Sequence, residues 1–182
     1  MPRSHPLPKI WLMTDERLGD DLLPAIQRLP ARSGVIFRHY HLDAAARKLL
    51  FGQVMRICRR RGHVLLLAGD ERTAIRWHAD GFHQRSRRAS RLLHSAPVHD
   101  AREIAGVKAA RPDLVFLSPI FATNSHPGAR PLGPLSFGRL AKLVLSSRII
   151  ALGGMNRRNA QMLSPRLIHG WAAIDAFKKK TA

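Results

Sequence analysis

The chain has 182 residues, 45% of them hydrophobic, enough for one domain with a real core. No apolar run is long enough to cross a bilayer, no segment of signal-peptide type precedes Ile10, and the single Cys58 excludes an internal disulfide and fits a reducing cytoplasm. Lys plus Arg number 31 against 12 Asp plus Glu, a net charge of +19 that predicts attraction to anionic ligands, yet aromatics are only 6% and no nucleic-acid-binding signature occurs, so specific nucleic-acid binding is not expected.

Residues 1–9 read as a polar, Pro-rich disordered lead, 10–177 as one domain and 178–182 as a basic tail. Within the domain, strand and helix alternate. A first apolar strand at Ile10–Thr14 precedes a helix at Asp20–Leu29, with Pro24 in its first turn. A second strand, Gly34–Arg38, precedes a long helix, Ala44–Arg61, capped by Asp43 and apolar at helical spacing. Cys58 falls in that helix as a small buried residue. The third strand, His63–Ala68, is apolar on both faces, as buried parallel strands are. Then come a short helix at Glu71–His78, a fourth strand at Ala79–His83, a polar connection at 85–91 and a fifth strand at Leu92–Ala96. A helix at Asp100–Ala110, a sixth strand at Asp113–Leu117, a long loop at Ser118–Pro134 and a helix at Leu135–Leu145 follow. The seventh strand at Ile149–Leu152 leads through Gly153-Gly154 to a helix at Arg157–Leu163, and the eighth strand is Trp171–Ile174.

Eight strands with intervening helices predict an α/β fold, a compact (β/α)8 TIM barrel. An open doubly wound sheet would call for a Gly-x-Gly-x-x-Gly turn after the first strand, where Gly19 stands alone. Chemistry in such a barrel gathers where strands end. Those ends carry Thr14-Asp15, Arg38 to His41, Gly69-Asp70, His83-Gln84, Ser95, the loop from Ser118, Gly153-Gly154 and Ile174-Asp175. Gly153-Gly154, with Asn156 placed to cap the next helix, predicts a backbone anion site, because free N–H groups at a helix start favour phosphate. His39 and His41 make a His-x-His pair without a convincing third zinc ligand.

Four segments resemble the thiamine phosphate synthase and thiazole tautomerase family: W-L-M-T-D at 11–15, A-D-G-F-H at 79–83, S-P-I-F-A-T-N-S-H at 118–126 and A-L-G-G-M-N at 151–156. G-V-I-F-R at 34–38 fits the family's second strand, so the resemblance runs from Ile10 to about Phe177. It implies a barrel that joins a pyrimidine diphosphate to a thiazole phosphate and releases pyrophosphate with Mg2+. It places Arg38 on the diphosphate, Thr123, Ser125 and His126 in the substrate loop, and the thiazole phosphate on Gly153, Gly154 and the backbone of Ile174 and Asp175. Asp70 falls where the family has a metal carboxylate, and His99 matches the histidine that acts in the tautomerase group.

The chain departs from the pattern at defined positions. Gly69-Asp70 replaces Asn-Asp, and after the fourth strand His83-Gln84-Arg85-Ser86 stands where the synthases place an acid. Asp175 replaces a small hydroxyl residue. The expected function is thiamine phosphate synthesis from two small phosphorylated substrates. The alternatives are a metal-free thiazole tautomerase using His99, and a barrel that binds a thiamine-related phosphate without catalysis.

Overall fold

Eight parallel strands pair in chain order and close on themselves in the computed structural model, which describes residues 6–123, 128, 130–144 and 146–179. They are β1 (Ile10–Met13), β2 (Gly34–Phe37), β3 (Val64–Ala68), β4 (Gly81–His83), β5 (Leu93–Val98), β6 (Leu114–Leu117), β7 (Arg148–Ala151) and β8 (Gly170–Ala173). The ring closes where Ile10 pairs with Trp171 and Leu12 with Ala173. The expected barrel is therefore present.

Six α-helices are present among the described residues: α1 (Leu22–Arg28), α2 (Ala44–Arg61), α3 (Glu71–Arg76), α4 (Ala101–Lys108), α5 (Gly133–Leu143) and α6 (Arg157–Ala160). The connection from β4 to β5 carries no helix, as its run of arginines suggested, and β8 is followed only by a 3-10 turn, Asp175–Phe177. None of the described helices is long and apolar enough to cross a membrane.

Local signals explain most boundaries. Asp43 starts α2 by accepting the N–H groups of Ala45 and Ala46 at 2.9 Å, and Gly62 ends it in the left-handed conformation at φ 65°. Arg59, Arg60 and Arg61 occupy its last turn, where cations suit the helix dipole. Cys58 is buried, and burial pushes its thiol up to about 12, which leaves it unreactive.

Three elements differ from expectation. The fifth strand runs on through Pro97 to Val98, which carries His99 to the rim. The helix expected at Arg157–Leu163 is a single turn, Arg157–Ala160. Lys178 and Lys179, read as tail, are tied down: Lys178 Nζ donates to the Arg17 carbonyl at 3.1 Å, and the Lys179 N–H to Asp21 at 2.7 Å.

The barrel interior is filled at its N-terminal end. Trp11 lies in the space opposite Gly34, packs edge-on to Phe116 at 5.6 Å and donates its indole N–H to the Pro8 carbonyl at 2.9 Å. This plug leaves the opposite end, where strands finish, as the open one.

Candidate active site

The open end holds a cleft of about 740 Å3, bordered by Met13, Arg38, Tyr40, His83, Arg85, His99, Thr123, Gly153 and Ile174 among others. It shares Thr123, Leu152, Gly153 and Ile174 with a second cavity of about 470 Å3 beside the end of β8. The two form one depression with two chemically different walls.

The wall on the β2 to β5 side is made of side chains. Arg38 directly follows β2, and its N–H is fixed by the Thr14 hydroxyl at 2.9 Å. Its guanidinium lies 3.6 Å from Asp15, whose carboxylate is held more closely by Arg17 at 2.7 Å. Burial works against the charged Asp15, yet the Arg17 hydrogen bonds and the two guanidinium charges keep its pKa below the usual carboxylate range. Arg47 of α2 sits behind this wall. It donates to the carbonyls of Arg38 at 2.8 Å and Ala68 at 2.7 Å, so one guanidinium ties the ends of β2 and β3 together.

His83, the last residue of β4, faces the cleft while almost fully buried. Its Nδ1 meets the Ser95 hydroxyl at 2.8 Å and its ring stands edge-on to Phe116 at 5.1 Å. Burial, reinforced by the Arg38 charge, lowers its pKa to about 3, so the imidazole is neutral at physiological pH. His39 is likewise held neutral, lowered to about 4 by burial and by His41, with its Nδ1 3.0 Å from the Thr14 hydroxyl.

His99 lies on the rim. The Glu103 carboxylate accepts its N–H at 2.7 Å, stands 2.9 Å from its Nδ1 and also pairs with Arg85. Asp100 caps α4 through the Glu103 N–H, which fixes this Arg85–Glu103–His99 cluster to a helix start.

The opposite wall is made of main chain. Gly153 and Gly154 have φ values of 93° and 61°, a region open to glycine. A Cβ on Gly153 would lie 2.6 Å from the Pro119 Cα, and one on Gly154 2.5 Å from the Ala122 carbonyl oxygen. The Phe121 N–H donates to the Gly153 carbonyl at 3.1 Å. The expectation from sequence was that the glycines let a ligand approach. The structure shows that they also let the 119–122 segment approach, leaving their N–H groups without a partner among the described residues. Because α6 is one turn long, its dipole adds little, and any anion affinity here rests on individual amides. Asp175 borders this corner but its carboxylate lies 3.5 Å from Arg17, and Lys178 lines the same corner.

The expected site residues thus separate into groups. Arg38, His99, Thr123, Gly153 and Ile174 border the main cleft, and Gly154 and Asp175 border its extension. Ser125 and His126 lie outside the described residues. Asp70, which the resemblance placed as a metal carboxylate, caps α3: it accepts the Thr73 N–H at 2.9 Å and the Thr73 hydroxyl at 2.8 Å. Sequence reasoning placed His83 at a strand end without a specific role, noted Arg85 only as a departure from the family pattern, and gave no role to Lys178 or Arg47. Period-two alternation along β4 was a usable signal for His83.

The donor set does not fit Mg2+, which takes oxygen ligands in an octahedron, commonly with one or two carboxylates. Among the described residues no group of three His, Cys, Asp or Glu side chains could hold a metal, and no Asp or Glu borders the 740 Å3 cleft.

Comparison with known proteins places this geometry in context. The sequence model of the thiamine monophosphate synthase family matches residues 11–177. The chain is 29% identical over 185 residues to the thiamine-phosphate synthase of Lysinibacillus sphaericus, covering 96% of this chain and 82% of that one. Among solved structures it is similar to the thiamine phosphate pyrophosphorylase of Pyrococcus furiosus, with TM-score 0.77 and 17% identity over 92% of this chain and 86% of that one. A thiamine phosphate pyrophosphorylase of Bacteroides thetaiotaomicron superposes with TM-score 0.62 at 18% identity, covering 96% and 87%.

Proposed function

The chain belongs to the thiamine monophosphate synthase family, and we propose that it is a transferase of thiamine biosynthesis, acting in the cytoplasm, that joins a hydroxymethylpyrimidine diphosphate to a thiazole phosphate. The observation that carries this reading is the pairing of a cationic wall with a backbone-amide corner in one depression, each suited to one of two phosphorylated substrates.

In this reading the bond between the pyrimidine methylene carbon and the diphosphate oxygen breaks heterolytically. The electron pair leaves with pyrophosphate. The thiazole nitrogen then supplies its lone pair to the resulting carbocation, giving thiamine phosphate. No proton has to move for this exchange. Arg38 stabilises the departing charge, a task worth about 10² to 10³ in rate per donor in comparable sites. The amides at Gly153 and Gly154 hold the thiazole phosphate, with the backbone after Ile174 and the Lys178 ammonium beside it. Neutral His83, on the wall of the cleft, offers a hydrogen bond to the pyrimidine without adding charge against the carbocation.

The test is to incubate the purified protein with both substrates and follow thiamine phosphate and pyrophosphate together. Equimolar appearance of the two supports the reading. Absence of both at high enzyme concentration overturns it. The tautomerase alternative keeps one supporting observation, the presence of His99 on the cleft, and it requires turnover of the thiazole alone.

A further inference from the structure

All twelve Asp and Glu residues of the chain lie within the described residues, so the fate of every carboxylate can be followed. None borders the 740 Å3 cleft. The carboxylates nearest to strand ends are committed elsewhere: Asp15 to Arg17, Asp70 to Thr73, Glu103 to both Arg85 and His99, and Asp175, which borders the adjoining cavity, to Arg17 at 3.5 Å. Arg38 and Arg85, by contrast, do border it. Arg85 stands in the segment after the fourth strand where the resemblance called for an acid. A cation there repels a divalent metal ion and attracts a diphosphate.

We propose that this cleft binds the diphosphate group as the free anion, through Arg38 and Arg85, with no divalent ion bridging it to protein carboxylates. The inference rests on the synthase reading for the identity of the substrate, and on the carboxylate inventory for the absence of a metal ligand set. The guanidinium fork has the capacity for this. Arg85 presents five N–H donors and spends one nitrogen on Glu103, so donors remain for a phosphate oxygen. Arg38 stands at 3.6 Å from Asp15, beyond hydrogen-bond length, and its donors are not consumed there. Two guanidinium groups can each bind a phosphate bidentately, which replaces the charge and the orientation that a bridging metal would supply. Arg47 contributes indirectly, as a positioning residue, by fixing the Arg38 carbonyl.

The experiment is calorimetric titration of the full chain with sodium pyrophosphate, first after chelation and desalting and then with excess Mg2+. The expected result is binding without metal at least as tight as with it. Arg85→Gln is expected to weaken metal-free binding by about tenfold, the loss of a charge-assisted contact. Arg139→Gln, an exposed change on α5 at a residue that does not line the cleft, is expected to leave it within about twofold and so controls for diffuse attraction to a basic protein. The thermal midpoints of both variants are measured to confirm folding. Binding that appears only with Mg2+, no binding in either condition, or equal weakening by the two substitutions would each overturn the proposal. The synthase reading can fail separately. Metal-free binding without formation of thiamine phosphate removes the synthase and keeps the anion site, whereas turnover abolished by chelation removes the metal-free site and keeps the synthase.

Discussion

On the β2 to β5 side of the barrel mouth, the wall is built of side chains: Arg38 and Arg85 on long stems, with His99 on the rim. On the β7 and β8 side it is built of main chain held in place by the contact between Gly153-Gly154 and residues 119–122. The first wall can change by single substitutions, because its groups sit at the ends of side chains rather than in the backbone. The second cannot change without moving backbone, because a Cβ on either glycine of the A-L-G-G segment meets the 119–122 segment. A charge can be exchanged for another at the end of a side chain, whereas a Cβ held 2.5 Å from a backbone oxygen has no side-chain remedy.

The largest effect is expected on the rigid wall. Gly154→Ala places a Cβ 2.5 Å from the Ala122 oxygen at a φ of 61°, so a loss of about 3 kcal/mol in urea unfolding is expected. A loss below about 1 kcal/mol would show that the 119–122 segment yields, and would erase the contrast between the walls.

A pH experiment probes the buried histidines behind the flexible wall. His83 and His39 have folded-state pKa values of about 3 and about 4, both below the unfolded value near 6.5. Above 6.5 both states are neutral and the stability is fully present. As pH falls from 6.5 toward 4 the unfolded chain takes up protons that the folded chain refuses, and stability falls. Each histidine contributes about 1.4 kcal/mol per pH unit in that window. His83→Gln should therefore flatten the decline measured by urea midpoints between pH 6 and 4.5. An unchanged slope would mean that His83 is protonated in the fold.

The smallest effect is expected at the rim. His99 is half exposed and already held by Glu103, so His99→Ala should change synthase kcat/KM by less than about threefold. A fall of about a hundredfold or more would instead assign it an acid–base role, and would favour the tautomerase reading.

How far the sequence exposed these features follows from the range of the interactions involved. The strands were legible because both faces are buried, so apolar runs such as V-L-L-L-A announce them. Helix starts were legible through short-range caps at Asp43 and Asn156. The length of the helix after β7 was not, since apolar periodicity past Ala160 does not reveal that the chain leaves the helix there. In the site, the positions of Arg38 and of Gly153-Gly154 followed from strand ends. Asp70 was read through the resemblance, as a metal carboxylate, and the contact with Thr73 three residues on shows it as a helix cap. Arg47 was invisible because its partners are the carbonyls of Arg38 and Ala68 on two different strands. Such contacts exist only after the barrel closes. Lys178 was hidden for the same reason: its reach to the Arg17 carbonyl joins the two ends of the chain.

The most direct measurement is a crystal structure of the chain soaked with thiamine phosphate and pyrophosphate. The monophosphate is expected on the amides of Gly153 and Gly154 beside Lys178, with pyrophosphate across the mouth against Arg38 and Arg85. A monophosphate seated on the arginine wall, with the glycine corner empty, would contradict the division of labour between the two walls.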